Sequence, residues 1–130
     1  MTAEPGSVVV GVGIDAVDVE RFALMLGRRR GLADRLFTDV EQADGGGSPA
    51  RLAARFAAKE ATMKALGVGL GAFGFHDVWV EREASGRPVL RVEGQALEVA
   101  AACGASRFDV SLTHTALTAQ AIVLAHGVPG

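Results

Sequence analysis

Asp15 and Glu60 are the two carboxylates whose surroundings in the chain set them apart. Asp15 closes the apolar run Val8–Ile14. Glu60 stands among alanines in the segment Arg55-Phe56-Ala57-Ala58-Lys59-Glu60-Ala61-Thr62-Met63-Lys64-Ala65. Two such acids facing one cleft would bind a hard divalent cation and leave coordination positions to water and phosphate oxygens. Asp15 equally suits the cap of a helix starting near Val17, and both readings stand. Glu60 and Lys64 share a helix face at i, i+4, where an exposed ion pair is worth about 0.3–0.5 kcal/mol. Ala53, Phe56 and Ala57 precede Glu60 on that side, and the small alanines would let a strand approach closely. The face therefore reads as more than a solvated one.

Other groups carry less. His114 ends the alternating set Phe108, Val110, Leu112, and a lone histidine there reads first as a satisfied structural residue. His76 and His126 receive no role, and Cys103, in an alanine run, reads as core. Gly11-Val12-Gly13-Ile14-Asp15-Ala16 mimics a dinucleotide fingerprint. That motif needs a second parallel strand after its helix, whereas Arg28-Arg29-Arg30-Gly31 and more helical sequence follow here.

The elements that must position these residues are legible from pattern. Ser7–Ile14 reads as a buried strand, and a helical pattern starts at Asp18 and stops at Arg28–Gly31. Leu32–Phe37 adds a helical turn, and Thr38 with Glu41 looks like a helix start. Ala43–Pro49, with three consecutive glycines, reads as a mobile loop. Ser48-Pro49 then begins a long helix over Ala50–Leu66 with Leu52, Phe56, Met63 and Leu66 as its apolar stripe. Asp77–Glu83 and Pro88–Val92 form a hairpin, Gln95–Cys103 a helix, and Arg107–Thr113 with Thr118–Leu124 a second hairpin. The order β-α-α-β-β-α-β-β predicts an α+β fold with a mostly antiparallel sheet on a long helix.

The 130 residues predict a single domain over 1–130. No stretch is long and apolar enough to span a bilayer, and Met1–Ser7 lacks the basic start of a secretory signal. One cysteine excludes an internal disulfide framework and suits a reducing compartment, so the cytoplasm is expected. Residues 20–64 hold nine basic and six acidic side chains, the remainder four and nine. The positive part would suit an acidic protein or a phosphorylated ligand, beside the plainer reading of a solvated face. Arginines outnumber lysines eleven to two, and both lysines flank Glu60, which hints at a need for a compact ammonium there.

Four segments occur in order: Gly11–Asp15 with Glu20-Arg21-Phe22, the Arg55–Ala65 block, Gly86-Arg87-Pro88, and Val110-Ser111-Leu112-Thr113-His114. Together they resemble the holo-acyl-carrier-protein synthases, short bacterial 4'-phosphopantetheinyl transferases, over about Val8–Leu124. The resemblance implies transfer of the 4'-phosphopantetheine arm of coenzyme A to a serine of an acyl carrier protein, with release of adenosine 3',5'-bisphosphate. It implies that Asp15 and Glu60 hold Mg2+ and that Lys64 lies near the phosphates. It places Arg55, His114 and the Gly86-Arg87-Pro88 turn at the coenzyme A site, and Arg21 on the helix facing the carrier protein. It implies a homotrimer with sites between subunits, serving fatty acid or polyketide synthesis, with no part for nucleic acid or membrane. Relatives commonly carry an acid directly after the histidine, where this chain has Thr115. That departure leaves room for a carrier-binding module without turnover; a plain coenzyme A-binding domain is the other alternative.

Overall fold

A computed structural model describes residues 6–128. The expectations placed on Met1–Pro5 and on residues 129–130, at the two ends of the expected single domain, lie outside the described residues. The elements run β1 (Val8–Asp18), α1 (Val19–Arg28), α2 (Leu32–Leu36), α3 (Asp39–Gly45) and α4 (Pro49–Ala65). A 3-10 turn at Phe75–Asp77 leads into β2 (Val78–Arg82), β3 (Pro88–Val92), α5 (Gly94–Ala102), β4 (Ala105–His114) and β5 (Thr118–Gly127). All pairings are antiparallel, in two sheets: β1-β5-β4 and the β2-β3 hairpin.

α4 lies at the centre. Ser48 caps it by accepting the Arg51 N–H at 3.3 Å, and Pro49 fits the first turn, where no N–H partner is needed. Its alanines 57, 58 and 61 are buried against Val78, Val80 and Leu90 of the hairpin and Ala121, Val123 and Ala125 of β5. Around its N-terminal half, Phe22, Phe37, Ala53, Ala54 and Ala119 form a second apolar cluster. There Phe56 stacks on Phe22 with ring centres 5.2 Å apart. The stripe expected on α4 packs into both clusters: Met63 and Leu66 are buried in the first, and Leu52 and Phe56 lie against the second. Leu52 and Phe56 are only half-buried, while the alanines are covered on most sides because α4 is sandwiched rather than laid on one sheet.

Gly11 and Gly13 explain how close that sandwich is. A methyl group on Gly13 would overlap the Ala61 carbonyl oxygen, and one on Gly11 the Ala65 carbonyl oxygen. The Gly-x-Gly spacing thus serves backbone contact between β1 and α4, which gives the fingerprint-like sequence a packing role.

Three further expectations change. β1 continues to Asp18, which caps α1 by accepting the Arg21 N–H at 2.9 Å, so Asp15 is a strand residue and not a cap. The expected loop from Ala43 is largely helix: Thr38 and Glu41 form a reciprocal capping box that starts α3, leaving only residues 46–48 as connection. Cys103 is exposed at the end of α5, its thiol donating to the Leu66 carbonyl at 3.4 Å.

Candidate active site

The register that presses Gly13 onto Ala61 turns Asp15, two residues on, toward the same side of the sheet. Glu60 and Lys64, one helical turn apart, meet it there. The Lys64 ammonium donates to Asp15 Oδ1 and to the Ile14 carbonyl, both at 3.0 Å. Burial raises the Glu60 pKa above the ordinary carboxylate value, the Asp15 charge raises it further, and Lys64 opposes both. Two half-buried acids repelling one another mark a place that favours a cation. The donors are hard oxygens, which suits Mg2+: it takes one or two carboxylates and leaves the rest of its octahedron to water and phosphate. Among the described residues no three His, Cys, Asp or Glu side chains group closely enough for a closed cage.

A second group forms elsewhere. Arg51, Ala54, Arg55, Arg82, Leu112, Thr113 and His114 line a cleft of about 280 Å3. Arg55 is 1% exposed, and its Nε and Nη2 have no hydrogen-bond partner. Its ion pair with Asp44 is long, at 3.7 Å. Burial lowers its pKa; Asp44 and Glu41 oppose that effect, and Arg82 and Arg51 add to it. Unsatisfied buried donors cost on the order of 1–3 kcal/mol each, so an anion entering this cleft would be strongly favoured. His114 is exposed at the mouth and not a packed structural histidine. Arg82 Nη1 donates to the Gly86 carbonyl at 2.9 Å, tying the cleft to the Gly86-Arg87-Pro88 turn. That turn continues into a larger cleft of about 480 Å3 between β3 and β4, lined in part by Arg87 and Pro88.

Within one chain Asp15 and His114 stand on the two edge strands of the β1-β5-β4 sheet. Asp15 is paired to Ala121 on β5, while His114 is paired to Ala119 from the opposite side. Two strand spacings, roughly 9–10 Å, therefore separate their backbones. Arg21 is exposed on the first turn of α1, three residues beyond Asp18, and Leu24, Met25 and Arg28 continue its outward face. Thr115 closes the β4-β5 turn: its hydroxyl accepts the N–H groups of Leu117 and Thr118, both at 3.1 Å.

Sequence reasoning missed Arg51 and Arg82, though Arg51 stands one helical turn before Arg55 and so on its face. It also read Lys59 and Lys64 as flanking one site. They diverge, because Lys59 points to the opposite side of α4 and is buried.

A model of the 4'-phosphopantetheinyl transferase superfamily matches residues 11–119. A holo-acyl-carrier-protein synthase of Frankia casuarinae is 50% identical over 117 residues, covering 90% of this chain and 97% of that one. One from Streptomyces coelicolor is 49% identical over 123 residues, covering 92% and 98%. The crystal structure of a Helicobacter pylori holo-acyl-carrier-protein synthase in complex with coenzyme A superposes with a TM-score of 0.79 at 26% identity, covering 88% and 98%.

Proposed function

The chain belongs to the 4'-phosphopantetheinyl transferase superfamily, and on that premise we propose that its active centre joins the Asp15–Glu60–Lys64 group to the Arg55–His114 cleft. Its activity is that of a holo-acyl-carrier-protein synthase: the 4'-phosphopantetheine arm passes from coenzyme A to a serine of apo carrier protein. The serine oxygen bonds to the phosphorus carrying the pantetheine arm, and the bond from that phosphorus to the bridging oxygen breaks. Adenosine 3',5'-bisphosphate leaves, and the serine proton passes to a water or a nearby carboxylate. The partner brings the nucleophile, so the enzyme's task is charge neutralisation and alignment.

The observation that carries this reading is the meeting of Asp15, Glu60 and Lys64 beside the Gly13–Ala61 contact. Asp15 and Glu60 would hold Mg2+, which supplies charge neutralisation on the diphosphate oxygens. Lys64 stands ready to pair with the same phosphate. Arg55, with its unsatisfied donors, and His114 take the anionic nucleotide end, and Gly86, Arg87 and Pro88 form a turn near the nucleotide. Arg21, with Leu24 and Met25 beside it, offers a basic and apolar helix face to an acidic carrier protein of fatty acid or polyketide synthesis.

Because Asp15 and His114 stand on opposite edge strands in one chain, the reading makes the enzyme a homotrimer with sites between subunits. The outer face of the β1-β5-β4 sheet supports it: Val12 and Ile14 are 55% and 60% exposed, with Ile122 beside them. Residues 1–130 act as one transferase domain in the cytoplasm, without nucleic acid or membrane. No described helix is long and apolar enough to cross a bilayer. Thr115, engaged in its turn, is compatible with full turnover.

The test is the mass of apo carrier protein after incubation with coenzyme A, with and without Mg2+. One phosphopantetheine should be added only when the metal is present. Unmodified carrier protein at saturating substrates, across several carrier proteins, would overturn the assignment.

A further inference from the structure

Lys59 is 0% exposed, and its ammonium is fully engaged. It donates to Glu41 Oε1 on α3 at 2.7 Å, to the Phe75 carbonyl at 2.7 Å, and to the Val78 carbonyl at the start of β2 at 2.5 Å. Glu41, equally buried, accepts the Thr38 N–H at 3.2 Å through the same oxygen and the Val80 N–H at 3.4 Å through the other. One ammonium–carboxylate unit therefore binds α3, the 3-10 turn and β2 to the middle of α4.

Its place along α4 matters. Lys59 directly precedes Glu60, and Arg55 lies one turn before it. β2, which it grips, ends in Arg82, the residue bonded to the Gly86 turn. Arg55 on α4 and the Gly86-Arg87-Pro88 turn of the hairpin, both assigned to the nucleotide end, thus belong to two bodies joined through this lysine. Packing alone would not define their register as sharply, since apolar alanines and valines can slide. Three converging acceptors are satisfied in one position only. Arginine, the usual cation of this chain, presents a planar fork rather than a compact ammonium whose donors can converge on three acceptors.

We propose that Lys59 is a positioning residue for coenzyme A: its buried ammonium sets α4 against the β2-β3 hairpin, so that the hairpin turn and Arg82 are held in register with Arg55 on the nucleotide side of the site. The proposal rests on the transferase reading and adds a residue that touches no substrate.

A charge-free double variant, Lys59→Met with Glu41→Gln, separates positioning from mere stability. Replacing a buried ion pair by neutral groups of similar volume is often tolerated by the fold. The variant should melt close to the parent, while its KM for coenzyme A rises on the order of tenfold, as for other supporting residues behind a site. Its KM for carrier protein should stay within about twofold, because α1 is not gripped by Lys59. A folded variant with unchanged coenzyme A KM, or with both KM values raised alike, overturns the proposal. If the double variant does not fold, Lys59→Arg decides: it keeps a cation opposite Glu41 but not the convergence on three acceptors, so an unchanged coenzyme A KM again overturns the proposal. Failure of the unaltered enzyme to transfer would instead overturn the transferase reading itself.

Discussion

Burial and the neighbouring Asp15 charge both disfavour the ionised form of Glu60. Its pKa is raised by burial first and by Asp15 second, so the folded chain holds that proton more tightly than the unfolded chain does. The corresponding stability is complete below the ordinary carboxylate pKa of about 4.3 and is lost as pH rises through the elevated folded value. Glu60→Gln, neutral throughout, should therefore melt higher than the parent at pH 7 in chelator, with the difference closing below about pH 4. The same change should reduce transfer by on the order of a hundredfold or more, measured by carrier-protein mass. A variant more stable and nearly inactive is the signature of an acid kept for chemistry. Asp15 and Glu60 could be singled out in the sequence because both are acids set in apolar company. The Lys59–Glu41 pair could not, since its partners are 18 positions apart and nothing local marks either as buried.

Among the elements, β1 and α4 decide whether the acids meet. A methyl group at Gly13 must push β1 off α4, because the atoms it meets are helix backbone and cannot rotate away. Gly13→Ala should destabilise by about 1–3 kcal/mol in chemical denaturation. It should also lower transfer by on the order of a hundredfold by moving Asp15 away from Glu60. Nearly all strands and helices were legible from periodicity and caps. α3 was hidden by the glycine run that ends it, although Thr38 and Glu41 announced its start. Asp15 was open to a capping role because an apolar run shows where a strand becomes polar, not where its pairing stops; β5 holds β1 in register to Asp18.

At the scale of the whole molecule, the outer sheet face is too apolar to stay in water alone. On the proposed intersubunit reading, Ile14→Arg should yield folded monomers in sedimentation and remove transfer, since each chain would then hold only half a site. That face was invisible in the sequence, because alternation along β1 and β5 tells of two apolar sides without saying which one meets another chain. The separation of His114 from Glu60 has one more result. On the same intersubunit reading, Glu60→Gln and His114→Ala chains, each crippled by itself, should regain activity when unfolded together and reassembled as mixed trimers. With random mixing about a quarter of the boundaries would pair an intact acid group with an intact histidine, so two defective preparations would together make a working one.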